Sequence, residues 1–455
     1  MRERKVWWIG GVLVLAVCAS ESTMGAEGGT MVEAASKPGR TWRTYSTRTL
    51  ADVKGFRSAR NVTLSKYGGL AEVKVKATGF FRTETVFGRW MLVDPDGHPF
   101  ISMGVNSVNP DARHNRASFA KTFKGEAQWA GQTSAMMRRT GLNTLGCWSQ
   151  WETFRRLERP WVYTRRWNFM SSYGSKRGRT HSRPGNTGYA GGVIYVFDPE
   201  FETFSDSHAK QLAETKDDPY LLGHFSDNEM PLRKEMLDLY LKMPADDPGR
   251  LAAAKWLKAR GRSDEKFGDA EREAFLEVVA ARYFRIVSRA IKKYDPNHLY
   301  LGSRFHGGAK YLRPVYKGAA PYVDVVSVNY YSRWTPERER MDQWVAWSGR
   351  PLLVTEWYVK GVDSGMKNTS GAGWVVKTQA DRGRFYQHFA LGLLEHPGCV
   401  GWHWHRYQDN SDRREGGSSN KGLVDLKYQP HGPLRDAMEE FNAQVYPLIQ
   451  ARLRR

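Results

Sequence analysis

Eight short apolar runs of β-forming residues, separated by stretches of helical periodicity, constrain this chain more than any other feature. They fall at 100–105, 144–148, 161–164, 221–225, 300–304, 323–328, 352–355 and 400–404. Runs this short and this continuously apolar read as strands covered on both faces, the condition of a parallel sheet. Between them, residues 128–140 carry a helical pattern that ends at Gly141, a natural helix terminator. Residues 270–294 place Leu276, Val279, Tyr283, Ile286 and Ala290 on one face before Asp295-Pro296 stops the helix. A third helical pattern, 382–395, precedes the last run. Eight strands alternating with helices give an α/β fold, a (β/α)8 TIM barrel over residues 99–455. A doubly wound sheet is the competing arrangement, but no Gly-rich phosphate loop follows the first strand.

The segment ahead of the barrel has two parts. Arg2, Arg4 and Lys5, the apolar run 6–17, and the small residues Ala19, Ser20 and Gly25 form the three-part pattern of a secretory signal peptide over residues 1–26. The run is shorter than the roughly 20 residues that span a bilayer, and no later run is long and apolar enough to do so. The expected destination is therefore export, periplasmic or extracellular, with cleavage around residues 19–26 and no stable membrane insertion. Residues 27–98 read as a polar tether leading into a small β-rich extension. Within it, 73–93 alternates and ends in the turn Asp94-Pro95-Asp96-Gly97. After cleavage near Ala19, Cys147 and Cys399 remain, too few for a disulfide framework, and two buried thiols are expected.

Net charge is +21, which points to anionic partners. Aromatic residues make up 13% of the chain, with 17 Trp, more than nucleic-acid binders usually carry. Aromatic rings stack well on the C–H faces of sugars, so a saccharide cleft accounts for both features.

In a barrel the active site lies at the C-terminal ends of the strands. The runs end in Asn106, Trp148, Ser226-Asp227-Asn228-Glu229, Arg304-Phe305-His306, Asn329-Tyr330-Tyr331, Glu356-Trp357 and His403-Trp404-His405. Glu229 and Glu356, at strands four and seven, form a candidate carboxylate pair. Glycoside cleavage with retention needs one ionised carboxyl to attack the anomeric carbon and one protonated carboxyl to serve the leaving oxygen. The charge of the first raises the pKa of the second. Asn228 is placed to bond a sugar 2-hydroxyl, and Tyr330 and Arg304 are expected to hold the nucleophile. Trp404 is expected to form the floor beneath the sugar, with Trp148 and Trp357 as walls. His306, His403 and Asn329 are further candidate contacts.

Eight segments carry a family resemblance: 77–82 with 88–98 and 104–108, then 227–229 with 295–305 and 324–331, then Thr355-Glu356-Trp357 with Gly401-Trp402-His403-Trp404. As an ordered set they resemble glycoside hydrolase family 50, the β-agarases, among the clan A retaining glycoside hydrolases. The resemblance runs from about Ala77 to Tyr446. It implies Glu229 as acid/base and Glu356 as nucleophile, cleaving β-1,4 links of agarose-like galactans, with no cofactor and no metal. Members often carry a larger N-terminal β-sandwich, and Met230-Pro231 follows Glu229 where a Ser-Trp type of continuation is expected.

Other readings remain open at this stage. Residues 155–183 hold nine Lys/Arg against one acid, Glu158, with Tyr163, Trp167, Tyr173 and, close by, Tyr189. This is either a solvated basic loop or a cradle for sulfate or carboxylate groups. On the second of these readings the polysaccharide or oligosaccharide partner is sulfated, and the enzyme a porphyran- or carrageenan-type hydrolase or a β-galactosidase-like one. Nucleic acid is not expected, because two glutamates in the cleft repel phosphates. His403 and His405 share a strand face, but no third metal ligand is evident. A galactan-binding barrel without catalysis would have no need of an intact pair with Asn228.

Overall fold

The computed structural model describes residues 29–58, 62–110, 112–183, 186–264, 266–411 and 417–453. The signal-peptide pattern lies outside them. Eight parallel strands form the centre: β1 (Ser102–Val105), β2 (Thr144–Leu145), β3 (Val162–Trp167), β4 (Leu221–Ser226), β5 (Leu299–Tyr300), β6 (Val326–Asn329), β7 (Leu352–Trp357) and β8 (Cys399–Trp404). Their order is β5-β4-β3-β2-β1-β8-β7-β6. The ends meet in a parallel bridge between Phe305 and Val328, where Phe305 N donates to Ser327 O and Asn329 N donates to Phe305 O. The sheet is thus a closed barrel, as the eight-run pattern predicts.

The helices pack outside as the periodicity requires. The first predicted helix spans Glu126–Arg139, and Gly141 follows it at φ 71°, a left-handed position that suits glycine. The longest, Asp269–Tyr294, buries all five residues of its predicted face. Each such side chain contributes about 1.5–3 kcal/mol when fully buried.

The barrel's lower interior holds Val162, Leu222, Leu299, Val325, Leu353 and Val400, capped by Tyr67, Phe81, Leu92 and Phe100. Leu92 and Phe100 of the cap come from the antiparallel strands Arg82–Val86, Arg89–Val93 and Pro99–Phe100, with Phe81 just ahead of them. Phe87 and Gly88 turn the hairpin with positive φ at both positions, the geometry of a two-residue hairpin loop. Arg89, buried, anchors the cap to the approach of β8. Its Nη1 donates to Leu394 O at 2.7 Å and its Nη2 to Cys399 O at 2.8 Å and His396 O at 3.2 Å. With the N-terminal end plugged, the C-terminal end is where the barrel opens.

Part of the stretch read as a tether is a hairpin. Thr30–Ala35 pairs with Arg43–Thr47 and, through Ala34 and Ala35, with Trp374–Val376, which continues to Val359–Gly361 beyond β7. Its second partner, Trp374–Val376, lies more than 300 residues away, so no local pattern reveals that half of the sheet. Cys147 and Cys399 are both buried and unpaired. No helix among the described residues is long and apolar enough to cross a membrane.

Hydrogen bonds from a charged donor to buried carbonyls contribute about 1.5–3 kcal/mol, and Arg89 makes three. Arg89→Met is expected to destabilise the protein by about 3 kcal/mol, read as a lower unfolding midpoint in denaturant. An unchanged midpoint would show that the cap is not anchored this way.

Candidate active site at the barrel mouth

The backbone after β4 turns sharply, with Asp227 at φ 53° and Glu229 at φ 50°. Such left-handed positions cost non-glycine residues about 1–2 kcal/mol. Asp227 holds the turn from below. Its carboxylate accepts from Met170 N at 2.8 Å, Ser171 N at 2.9 Å and Tyr283 Oη at 2.6 Å. Tyr283 comes from the long helix Asp269–Tyr294, so the scaffold reaches the site through one hydroxyl. Ser226 Oγ meets Tyr300 Oη at 2.5 Å and closes the floor.

Glu229 then faces Asn329, whose Nδ2 donates to Oε1 at 2.7 Å. Thr355 Oγ1 donates to Asn329 Oδ1 at 2.8 Å, which fixes that amide's orientation. His306 Nδ1 stands 3.8 Å from the same Glu229 oxygen.

Glu356, in β7, has a different environment. Arg304 Nη2 donates to its Oε1 at 2.7 Å, and Tyr331 Oη donates to its Oε2 at 2.6 Å. Arg304 is buried and reaches further, with Nη2 to Thr355 O at 3.1 Å and Nη1 to Asn228 Oδ1 at 2.8 Å. One guanidinium thereby ties Glu356 to the residue preceding Glu229.

The two carboxyls are pushed apart electrostatically. Burial pushes Glu356 upward, but Arg304, His405 and the Tyr331 hydroxyl outweigh it and hold the carboxyl well below the usual range. Glu229 is raised, first by burial and then by the negative charge of Glu356, against the opposing pull of His306 and Asn329. The two carboxyls are thus shifted in opposite directions, Glu356 downward and Glu229 upward.

Around the pair, Trp148 is 37% exposed and presents its ring at the mouth. Arg304 lies over it at 4.4 Å, Arg166 at 5.3 Å, and His405 packs at 6.0 Å. Beside it opens a cavity of about 230 Å³ lined by Trp148, Asn228, Arg166, Arg183, Asn168 and Tyr189, among others.

The structure brings Glu229, Glu356, Asn228, Arg304, Asn329, His306 and Trp148 together. Five expected contacts lie elsewhere. Tyr330 turns away from Glu356, and its hydroxyl donates to Glu337 at 3.2 Å; Tyr331, one residue on, takes the role assigned to it. Trp404 is fully buried, with Nε1 donating to Lys421 O, so it is no sugar floor. Trp357 packs on Tyr386 and Phe389 rather than forming a wall. His403 points into the barrel interior, 2.9 Å from Ser102 Oγ, and Asn106 is buried with Nδ2 donating to Thr355 O at 2.7 Å. Neighbouring strand residues face opposite ways, so a phase error of one position exchanges them. Tyr331 and His405 are the residues that sequence reasoning passed over in these roles.

The basic segment is largely consumed in structure. Arg155 pairs with Asp218 at 2.8 Å, Arg177 with Glu200 at 3.0 Å and Arg179 with Asp247 at 3.0 Å. Arg165 stacks on Trp151 and Trp167. Tyr163, Trp167 and Tyr173 are core residues. A buried cluster of His224, Asp295 and His298 has metal-like spacing. Every ring nitrogen there is already engaged: Trp167 Nε1 donates to His224 Nδ1, His224 Nε2 donates to Asp295, and His298 bridges Asp295 to Asp218 O. The cluster pins β3 and β4 to the approach of β5.

No family model matches the chain. The solved structure of BpGH50 matches with a TM-score of 0.83 and 32% identity, covering 93% of this chain and 95% of that one. The chain belongs to glycoside hydrolase family 50. Two curated relatives are β-agarases of Vibrio sp. (strain JT0107). β-Agarase B is 27% identical over 498 aligned positions, 84% of this chain and 50% of the relative. β-Agarase A is 26% identical over 461, 79% and 45% respectively. The chain thus spans about half the length of the curated relatives it matches. The structure of an exo-β-agarase, at 24% identity, shares the fold with a TM-score of 0.72 over 86% of this chain and 68% of that one.

The coupling between the carboxyls is testable on the protein alone. Glu356→Gln removes the negative charge facing Glu229 and leaves Arg304 unneutralised, and both changes favour the ionised form of Glu229. The Glu229 pKa, followed by carboxyl infrared or carbon NMR titration, is expected to fall relative to wild type. A Glu229 pKa that stays put or rises would show that the two groups do not sense each other.

Proposed function

We propose that this protein is an exported retaining glycoside hydrolase that cleaves β-1,4 linkages in agarose-like galactans, with Glu356 as nucleophile and Glu229 as acid/base. The observation that carries this reading is the unequal surroundings of the pair. Arg304 and Tyr331 keep Glu356 ionised, while burial and the charge of Glu356 raise the pKa of Glu229. The names of the curated relatives, both β-agarases, support the substrate class. The N-terminal signal pattern supports export.

In the first step a Glu356 oxygen attacks the anomeric carbon. The bond to the leaving oxygen breaks as Glu229 delivers its proton there. The covalent ester neutralises Glu356, so the electrostatic pressure on Glu229 falls and it becomes a better acceptor of a proton. In the second step Glu229 takes a proton from water, the hydroxide attacks the anomeric carbon, and Glu356 leaves as a carboxylate held again by Arg304 and Tyr331. Trp148 offers an exposed ring for stacking, and Asn228 and His306 offer polar contacts to sugar hydroxyls.

Incubation with agarose tests the reading. Wild-type protein is expected to release short oligosaccharides, and Glu356→Gln to lose at least about a thousandfold in turnover while keeping its fold by circular dichroism. Near-normal activity in that variant would remove Glu356 from its role. The pH profile provides a second check. The Tyr331 hydroxyl donates to the ionised form of Glu356, so its loss in Tyr331→Phe raises the Glu356 pKa. The acidic limb of kcat/KM then moves to higher pH by about one to two pH units, from the 1.5–3 kcal/mol of a charge-assisted hydrogen bond. A limb that stays in place would mean that Tyr331 does not act on the nucleophile.

A further inference from the structure

The cavity beside the carboxylate pair contains cationic groups that the reaction above does not use. It holds about 230 Å³, and Arg166 and Arg183 line it together with Trp148 and Asn228. The other arginines named above from the basic segment are met by acids or aromatic rings. Arg166 and Arg183 pair with no carboxylate among the described residues. The one hydrogen bond of Arg166 goes to Asn168 Oδ1, and its Nε is buried without a partner. Arg183 Nε meets His181 Nε2 at 3.2 Å, and the rest of its fork is unused. Ser171, Asn186 and Thr187 complete a neutral lining. Asp227, the neighbour of Asn228 in the chain, is committed to Met170, Ser171 and Tyr283.

A half-buried guanidinium with no directly paired carboxylate is costly, and Asp227 and Glu356 act on Arg166 only through space, without offsetting its burial. Burial accordingly draws the Arg166 pKa down. Sugar hydroxyls would offer these forks neutral acceptors only. An oxyanion would offer charge as well, in the geometry that guanidinium groups bind best. Trp148 joins the two regions, since its ring lies within reach of both Arg304 and Arg166.

We propose that this cavity is a subsite for an oxyanion substituent, a sulfate ester or a carboxylate, carried by a galactan unit bound beside Glu229. The inference rests on the reading of Glu229 and Glu356 as the cleaving pair and narrows the substrate from neutral to anionic galactan. Arg166 and Arg183 act as specificity residues that recognise the substituent and take no part in bond cleavage.

The test compares three sets of oligosaccharides: sulfated ones from porphyran, the same after chemical desulfation, and pyruvylated ones from agarose, which carry a carboxylate. The readout is the ratio of kcat/KM for each anionic set over the desulfated set. In wild-type protein one ratio is expected to exceed about ten, the worth of one charge-assisted contact, and the set that shows it identifies the substituent. Arg183→Gln, a change on an exposed hairpin, is expected to lower that ratio severalfold. Arg166→Gln is expected to lower it further, with unfolding midpoints measured for both. Ratios at or below one in wild type, or ratios indifferent to both substitutions, would overturn the subsite while leaving the proposed hydrolase in place. Calorimetric binding to Glu356→Gln separates the two claims. If nothing is cleaved but sulfated oligosaccharides bind in an Arg183-dependent way, the subsite stands and the hydrolase reading fails.

Discussion

The chemistry of this barrel mouth depends on the burial of Arg304. Its guanidinium is out of water, and removing a charge from water costs several kcal/mol that only a well-placed partner of opposite sign offsets. Glu356 is that partner at 2.7 Å, and Thr355 O and Asn228 Oδ1 take further donors. The pair is mutually dependent: truncating either member strands a charge in the interior. Two consequences follow from one placement. Glu356 is held as a carboxylate, and its fixed charge acts on Glu229, which has no arginine of its own among its hydrogen-bond partners. Two residues of one chemical type thus have their pKa values moved in opposite directions by their surroundings.

The same region concentrates backbone strain. Trp148, Asp227, Glu229 and Arg304 all have φ between 50° and 61°, each just beyond a barrel strand. Non-glycine residues hold such conformations when the surroundings over-determine them. Here the determinants are visible: three donors converge on Asp227, Ser327 Oγ accepts from Arg304 N, and the Arg304 side chain is fixed at both ends of its fork. The long helix Asp269–Tyr294 therefore serves more than packing, since its Tyr283 hydroxyl is one of those donors. Stability of the shell and geometry of the site share a bond.

Much of this was legible in the residues. Eight apolar runs and their helical spacers specify the barrel because parallel strands buried on both faces have few alternatives. Strand ends rich in polar groups mark the mouth, and Glu229, Glu356, Asn228 and Arg304 fall where that logic places them. The failures are of two physical kinds. The first is phase. Tyr330 and Tyr331, and likewise Trp404 and His405, are adjacent, and a strand presents them to opposite sides, so composition alone leaves the choice open. The second is distance in sequence. The hairpin of Thr30–Ala35 with Arg43–Thr47 is docked by Trp374–Val376, which pairs with its first strand from more than 300 residues away. The dense positive charge around β3 dissolves into separate contacts with Asp218, Glu200 and Asp247 for the same reason, leaving Arg166 and Arg183 to the cavity.

The proposed roles, Glu356 attacking and Glu229 delivering the proton, pass through a covalent intermediate and hence retain configuration. Proton NMR of freshly cleaved agarose oligosaccharides measures this directly, before mutarotation mixes the anomers. The account predicts that the β anomer of the new reducing end appears first and the α anomer grows in later. Initial release of the α anomer would mean that water attacks directly, and would contradict the role that Arg304 and Tyr331 give to Glu356.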